Sequence, residues 1–246
     1  MYRLLLLVAL VGCSHGNYRV TYAYMHYSEG QMYYKPVCLK PCTVARRSRS
    51  SWLRTSCDDA FIENFKVVAG SKYTDARGES EHEVVETVHH AFGSGGKVDP
   101  SRELVLLRVS PPISFDAKRQ PVKLVDADYL LVPGQKLSFS GYGYTDGFVK
   151  SPTLRSGSGN SILLEDCVKA YEGRFGSLYP GLACSDGNAT GTSACIGDSG
   201  TPVLLEDGRL VAVSTTRYSC GKPSKEPDVL ALVAKVRSWI KIVTNV

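Results

Sequence analysis

Ser199 is the residue of this chain whose neighbours are best suited to covalent chemistry. It lies in the run Cys195-Ile-Gly-Asp-Ser-Gly200, between two glycines and directly after Asp198. Gly200 permits close approach of the backbone, and the N–H groups of Gly197 and Ser199 can converge on one point as an oxyanion hole. The run therefore favours a serine nucleophile, with backbone donors that stabilise the oxyanion formed on the group it attacks.

A serine hydroxyl is a poor nucleophile near neutral pH, so it needs an adjacent base, usually an oriented histidine. The histidines of the chain are His15, His26, His82, His89 and His90. His82 directly precedes a predicted strand at 83–88, and His89 and His90 follow it. We expect them to be ordinary surface or loop residues.

Composition indicates a globular, β-rich protein. The 246 residues are 43% hydrophobic and 22% charged, with 23 glycines and 12 prolines. This suits a turn-rich β fold with a substantial core. The formal net charge is only +5. A basic cluster at 46–54 could face a polyanion, but a solvated loop is the favoured interpretation. We predict no nucleic-acid partner and no cofactor.

The amino terminus predicts secretion. Arg3 precedes the apolar run Leu4–Val11, and small residues follow up to Gly16. This is the layout of a cleaved signal peptide over residues 1–16, because eight apolar residues are too few to span a bilayer. A bacterial lipoprotein signal with lipidated Cys13 is the alternative. The mature protein is expected to be extracellular, without a membrane partner.

Several segments have clear secondary-structure patterns. Strands are predicted at 65–70, 83–88 and 104–109, the last as a near-continuous apolar run buried on both sides. A hairpin with an Asp207-Gly208 turn is predicted between 204–206 and 210–213. Val236, Trp239, Ile240 and Val243 have helical spacing, which predicts a short amphipathic helix at the carboxyl end.

These motifs together resemble the chymotrypsin/trypsin-like serine proteases, including insect members. The nucleophile run is similar to CxGDSGGP, except that Thr201 replaces the second glycine. Four further segments resemble stretches of the family. Segment 28–34 is similar to the family's EGQFPYQ, 65–70 to VVAGEH, 104–109 to DIALLKL and 137–143 to VSGWG. The resemblance implies an all-β fold of two antiparallel β-barrels with a short carboxy-terminal α-helix. The protease domain would cover residues 20–246.

The resemblance also implies disulfides. Cys42 would pair with Cys57, Cys167 with Cys184, and Cys195 with Cys220. Cys38 is left over, as a buried thiol or a bridge to another chain. Zinc binding is the competing interpretation of the cysteines, but no CxxC or paired-histidine spacing supports a metal site.

The triad implied by the resemblance is incomplete. The family's histidine stands directly before the cysteine matched by Cys57, and here that position is Ser56. Serine is no more basic than the hydroxyl it would deprotonate. Glu103 stands where the family has its aspartate. Ser199, Glu103 and Ser56 are therefore vestigial catalytic positions in this interpretation.

The specificity pocket implied by the resemblance has also changed. Ser193 matches its floor, and Ser214 begins the strand that pairs with substrate. Thr216 replaces a glycine at the pocket mouth, and Asp228 replaces one in its wall. We expect Asp228 to fill the narrowed pocket, meeting Ser193. Asn188 begins an N-glycosylation sequon near the pocket entrance.

Activation is a further expectation from the family. Members are cut after a basic residue, and the new terminus pairs its amine with the aspartate before the nucleophile, here Asp198. Arg19-Val20 lies where that cut would fall, which makes 17–19 a short propeptide. Tyr22 and Ala23 replace the glycines of IVGG. An uncleaved amino terminus is the open alternative.

The sequence therefore predicts a secreted, non-catalytic serine protease homologue. It would act as a cofactor, decoy or regulator by binding a protease, an inhibitor or a cascade component. The alternative is an active serine endopeptidase with an atypical base and a preference for basic residues through Asp228.

Overall fold

A computed structural model gives the structure of this chain. It describes residues 5–9, 21–28, 31–38, 66–70, 73, 80–89, 104–117, 119–145, 149, 151–171, 181–187, 192–195, 198, 200–216 and 226–245. For the segments before residue 66, only the backbone is described. The strands are β1 Leu5–Ala9, β2 Thr21–Ser28, β3 Gln31–Cys38, β4 Lys66–Ala69, β5 Ser80–His89, β6 Leu104–Ser110, β7 Lys136–Gly141, β8 Arg155–Ile162, β9 Leu182–Asp186, β10 Pro202–Leu205, β11 Leu210–Thr216 and β12 Asp228–Leu232. The helices are α1 Leu164–Ala170 and α2 Val233–Thr244.

The second half of the chain is a closed barrel of antiparallel strands in the order β10-β11-β12-β9-β8-β7. In this order β9 and β10 are consecutive in sequence, yet two strands separate them in each direction around the barrel. The connection between them, which carries the nucleophile motif, therefore runs from one wall to the opposite wall.

The first half has a four-stranded sheet in the order β1-β6-β5-β4 and a β2–β3 hairpin. Within this sheet β6 has Leu104, Leu106, Leu107 and Val109 buried, as its apolar run predicts. The amino-terminal strand β1 pairs antiparallel with β6, from Leu5 opposite Arg108 to Ala9 opposite Leu104. The removal of residues 1–16 as a signal peptide stays a prediction.

The barrel encloses the main core. Its inward side chains include Leu137, Val203, Val211, Val213 and Leu230, all of which are buried. The predicted hairpin at Asp207-Gly208 joins β10 to β11, and Gly208 has the positive φ of 82° that such a turn requires.

Helix α2 packs against the core of the barrel, and the helical spacing at 236–243 predicts this helix. Val236 and Ile240 are buried, while Trp239 and Val243 pack against the same core. The all-β class with a terminal helix is thus confirmed. No helix within the described part of the chain is long and apolar enough to cross a membrane.

Candidate functional site

The nucleophile loop connects β9 to β10, and backbone hydrogen bonds define its turn. The N–H of Asp198 donates to the carbonyl of Cys195 at 2.9 Å, and the N–H of Thr201 donates to the carbonyl of Asp198 at 2.9 Å. Gly200 has a φ of 89°, a conformation that glycine adopts without strain. Ser199 and Gly197, the predicted nucleophile and oxyanion donor, lie outside the described residues.

Strand β11 holds the far side of this loop. The N–H of Gly200 donates to the carbonyl of Ser214 at 2.7 Å, and the N–H of Ser214 donates to Thr201 at 2.8 Å. Thr201 is buried, and its hydroxyl lies beside Gly141. The loop therefore accommodates the threonine that departs from the family motif, because a glycine on β7 leaves room for it.

Asp198 joins the nucleophile loop to the end of β7. Its Oδ1 accepts the N–H of Gly143 at 2.8 Å, and its Oδ2 accepts the N–H of Cys195 at 2.9 Å. A Cβ at Gly141 would lie 2.0 Å from Oδ1, and one at Gly143 would lie 2.4 Å from the carboxyl carbon. Both glycines are thus needed for the carboxylate to reach the backbone donors.

Burial dominates the electrostatics of this carboxyl. Loss of hydration raises the pKa of Asp198 from 3.8 to about 6, against the lowering effect of the hydrogen bonds from Cys195 and Gly143. The nearby carboxyl of Asp228 raises the pKa further. The folded chain therefore binds a proton at Asp198 at a pH where the unfolded chain does not.

This pKa predicts that Asp198 makes the protein more stable in mild acid. Because the folded pKa lies above the unfolded one, the charged carboxyl destabilises the fold above about pH 6. That cost is relieved as the pH falls from about 6 toward about 4. Between pH 7.5 and 4.5 this carboxyl should raise the free energy of unfolding by about 2 kcal/mol.

Urea unfolding of the wild-type protein and of Asp198→Asn at both pH values measures the effect. The difference between the two proteins isolates this carboxyl from others, such as Asp207, whose pKa is lowered by hydrogen bonds from Arg209. If acidification does not stabilise the wild-type protein relative to Asp198→Asn, the conclusion that burial raises the pKa of Asp198 is wrong.

A cleft of roughly 430 Å³ opens above the Asp198 carboxylate. Its walls are the end of β7, the start of β8 and the loop before the nucleophile. They include Tyr144, Arg155, Thr192 and Ser193. Ser193 and Asp198 therefore line the same cleft, while the role of Ser193 as the pocket floor stays a prediction.

Asp228 is buried in the barrel wall beside this loop, with 1% of its surface exposed. Its Oδ2 lies 3.5 Å from the Ser185 hydroxyl and 3.5 Å from the N–H of Ala194, the residue after Ser193. The predicted meeting of Asp228 with Ser193 stays a prediction, since the contact that is described is with the backbone of the next residue, Ala194. The backbone of Thr216 pairs with Val229 at the adjacent wall.

Two of the cysteine assignments can be compared with the structure. Cys167 and Cys184 form a disulfide with 6.2 Å between their Cα atoms, as predicted. Cys195 is disulfide-bonded, while its predicted partner Cys220 lies outside the described residues. The pair Cys42 and Cys57 lies outside them too, and of Cys38 only the backbone in β3 is described.

Other predicted site residues fall outside the described part of the chain. They are Ser56, Glu103, Arg19, Val20 and Asn188. Among the described residues, no group of three or more histidine, cysteine, aspartate or glutamate side chains could hold a metal ion.

His82 corrects the expectation that the later histidines are surface residues. It is 3% exposed and lies opposite Val67 in the sheet, with both ring nitrogens in hydrogen bonds. The alternation along β5 gives the reason, because Glu81 and Glu83 point to solvent and His82 points inward. The same alternation was the sequence signal that could have placed it.

The family model described as Trypsin matches residues 55–240. The chain belongs to the trypsin family. The match includes the β9–β10 connection around Asp198 and the barrel that holds it.

Known proteins of this family are similar to a large part of the chain. Trypsin 5G1 of Aedes aegypti is 33% identical over 61% of this chain and 55% of its own length. Kallikrein-8 of Homo sapiens is 31% identical over 66% of this chain and 61% of its own length. The match therefore spans little more than half the length of these two relatives.

A solved structure extends the likeness to the fold. Neuropsin, a serine protease expressed in the limbic system of mouse brain, superimposes with a TM-score of 0.62 at 26% identity. The superposition covers 72% of this chain and 78% of neuropsin.

Proposed function

We propose that this trypsin-family chain is a secreted homologue that retains the protease scaffold but not the catalysis, and that it acts by binding other proteins. Ser56 is the observation that carries the proposal. It stands directly before Cys57, at the position of the family's catalytic histidine. Loss of the triad histidine costs on the order of a millionfold in turnover.

The environment of His82 supports the absence of a substitute base. Its Nδ1 lies 2.6 Å from the Pro111 carbonyl and its Nε2 lies 2.9 Å from the Ser80 hydroxyl. Both ring nitrogens therefore form hydrogen bonds with residues in the first half of the chain. The Ser80 and Pro111 contacts therefore leave this imidazole no lone pair to offer Ser199.

The buried position of Asp228 supports a closed specificity pocket. Its carboxyl lies against Ala194 and Ser185. We infer that it fills space that an open pocket would give to a substrate side chain. Thr216 adds a branched side chain at the expected mouth, and a glycan on Asn188 would hinder access further. The vestigial set is then Ser199, Glu103 and Ser56.

The binding partners proposed for this homologue are a protease, a protease inhibitor or another component of an extracellular cascade. Cleavage at Arg19-Val20 would give a new amine, and the cleft above Asp198 offers a carboxylate to it. Cys38 would add an intermolecular disulfide. Secretion follows from the proposed signal peptide at 1–16.

An active endopeptidase is the second candidate. The names of the relatives, trypsin and kallikrein, and the description of neuropsin as a serine protease favour it. In this case Asp228 would select basic side chains, and an atypical base would serve Ser199.

Labelling with a fluorophosphonate probe separates the two candidates. We compare the rate at which the probe enters the peptide that contains position 199 in the wild-type protein and in the Ser199→Ala variant. We expect the two rates to be equal, both before and after treatment with trypsin. Mass spectrometry of that peptide gives the readout, and an active trypsin is the positive control. Robust labelling of Ser199 would falsify the non-catalytic proposal.

A further inference from the structure

A second serine of this chain has a base beside it. Ser80 begins β5, and its hydroxyl lies 2.9 Å from Nε2 of His82, two residues along the strand. Residues at this spacing point to the same face of a strand. The pair is separate from the nucleophile loop.

The hydrogen bond on the far side of the ring fixes its tautomer. Nδ1 of His82 lies 2.6 Å from the carbonyl oxygen of Pro111, which can only accept. In the neutral imidazole Nδ1 therefore carries the proton, and Nε2 presents its lone pair to Ser80. The Ser80 hydroxyl donates to it in preference to the Ala69 carbonyl, which is 3.4 Å away.

A cation contacts the same oxygen. Nη1 of Arg119 donates to Oγ of Ser80 at 2.8 Å. Asp116 holds the guanidinium, accepting from Nε at 3.1 Å and forming an ion pair with Nη2. A base and a fixed positive charge together favour development of negative charge on Oγ.

The cluster is only partly buried. Ser80 is half-buried, and the side chains of Arg119 and Asp116 retain 19% and 40% of their exposure. His82 beneath them is buried, so its orientation is held by packing. Ser80 lies at the start of the strand and is only half-buried, whereas His82 on the same face is buried and is fixed by its two hydrogen bonds.

We propose that Ser80 is a nucleophilic modification site that takes acyl and phosphonyl electrophiles, with His82 as its base and Arg119 stabilising the oxygen. With a fluorophosphonate, Oγ bonds to phosphorus as the P–F bond breaks. Fluoride leaves, and the hydroxyl proton passes to Nε2 of His82. The adduct is a phosphonate ester on Ser80, and no other reactant is required.

Site-resolved labelling of the full chain tests this inference. Ser156 is an internal control, because it is exposed on β8 and has no histidine among its described contacts. In the Ser199→Ala protein we expect Ser80 to label about 10²-fold faster than Ser156, the effect of a positioned base. Because the two serines report separately, failure at Ser80 and failure of the proposed function at Ser199 are distinguishable.

Two variants examine the neighbours of Ser80. His82→Gln should lower the rate at Ser80 about 10²-fold, and Arg119→Gln should lower it at least about tenfold. Thermal unfolding checks that each variant folds. If His82→Gln does not fold, Arg119→Gln carries the test, because its side chain is partly exposed. Labelling of Ser80 at the Ser156 rate, or a rate unchanged in the folded variants, overturns the proposal.

Discussion

Replacing Ser56 with histidine, together with Glu103→Asp, is expected to give the chain measurable hydrolytic activity. Under the proposed function, the change would supply the base that the hydroxyl of Ser199 lacks and the carboxylate that orients this base. A positioned base contributes about 10²–10⁴-fold. We therefore expect an increase of at least about 10²-fold over the wild-type protein in the hydrolysis of a small activated ester.

A small ester is the appropriate substrate because it does not depend on the pocket beside Asp228. Fluorophosphonate labelling of Ser199 gives a second readout and should rise in parallel. The variant that combines these changes with Ser199→Ala is the control for hydrolysis elsewhere. Equal activity in wild-type and Ser56→His proteins would show that histidine at this position is not the missing component.

Gly141→Ala is expected to be the most destabilising of the small substitutions in the barrel. A Cβ there would lie 2.0 Å from Oδ1 of Asp198 and 3.0 Å from the Thr201 hydroxyl. The carboxylate would have to leave the N–H groups that it accepts from, since β7 cannot move away within a closed barrel. We expect a loss of about 3 kcal/mol in the free energy of unfolding.

Gly159→Ala on β8 is the matched control, because its nearest neighbour would be the Asp186 carbonyl oxygen at 3.2 Å. In urea unfolding, Gly159→Ala should lower the free energy of unfolding by less than Gly141→Ala does. Asp198→Ala removes the obstacle. Adding Gly141→Ala to that variant should therefore lower the free energy of unfolding by at least about 1 kcal/mol less than it does in the wild-type background. A Gly141→Ala protein within about 0.5 kcal/mol of wild type would contradict the observed position of the carboxylate.

Much of the fold is predictable because the deciding patterns are local. The run at 104–109 has consecutive apolar residues, which suits a strand with both faces covered, and β6 has both faces buried. Asp207-Gly208 and the spacing of Val236 and Ile240 are equally short-range signals. Each can be recognised without knowledge of the rest of the chain.

Helix α1 could not be predicted in this way. It has seven residues, and Leu164 and Val168 remain partly exposed, so it has no amphipathic pattern of useful length. Its position depends on distant contacts, namely the Cys167–Cys184 disulfide and the hydroxyl of Tyr171, which donates to the Pro227 carbonyl.

The environment of the candidate site was only partly predictable, for the same reason. The motif places Asp198 beside Ser199, but the donor from Gly143 is 55 residues away in sequence. Likewise, the contact between Asp228 and Ser185 joins strands whose pairing the sequence does not specify. The identity of each residue was available, but its partner was determined by closure of the barrel.

The path of the β9–β10 connection has a consequence for how such motifs are inherited. Because it joins opposite walls, Asp198, Gly200 and Thr201 bind β7 and β11 as well as shaping the loop. Selection for folding alone would preserve these residues after selection for turnover had ceased. Asp198, Gly200 and Thr201 would then outlast the reaction, whereas a position that served only in proton transfer would be free to change.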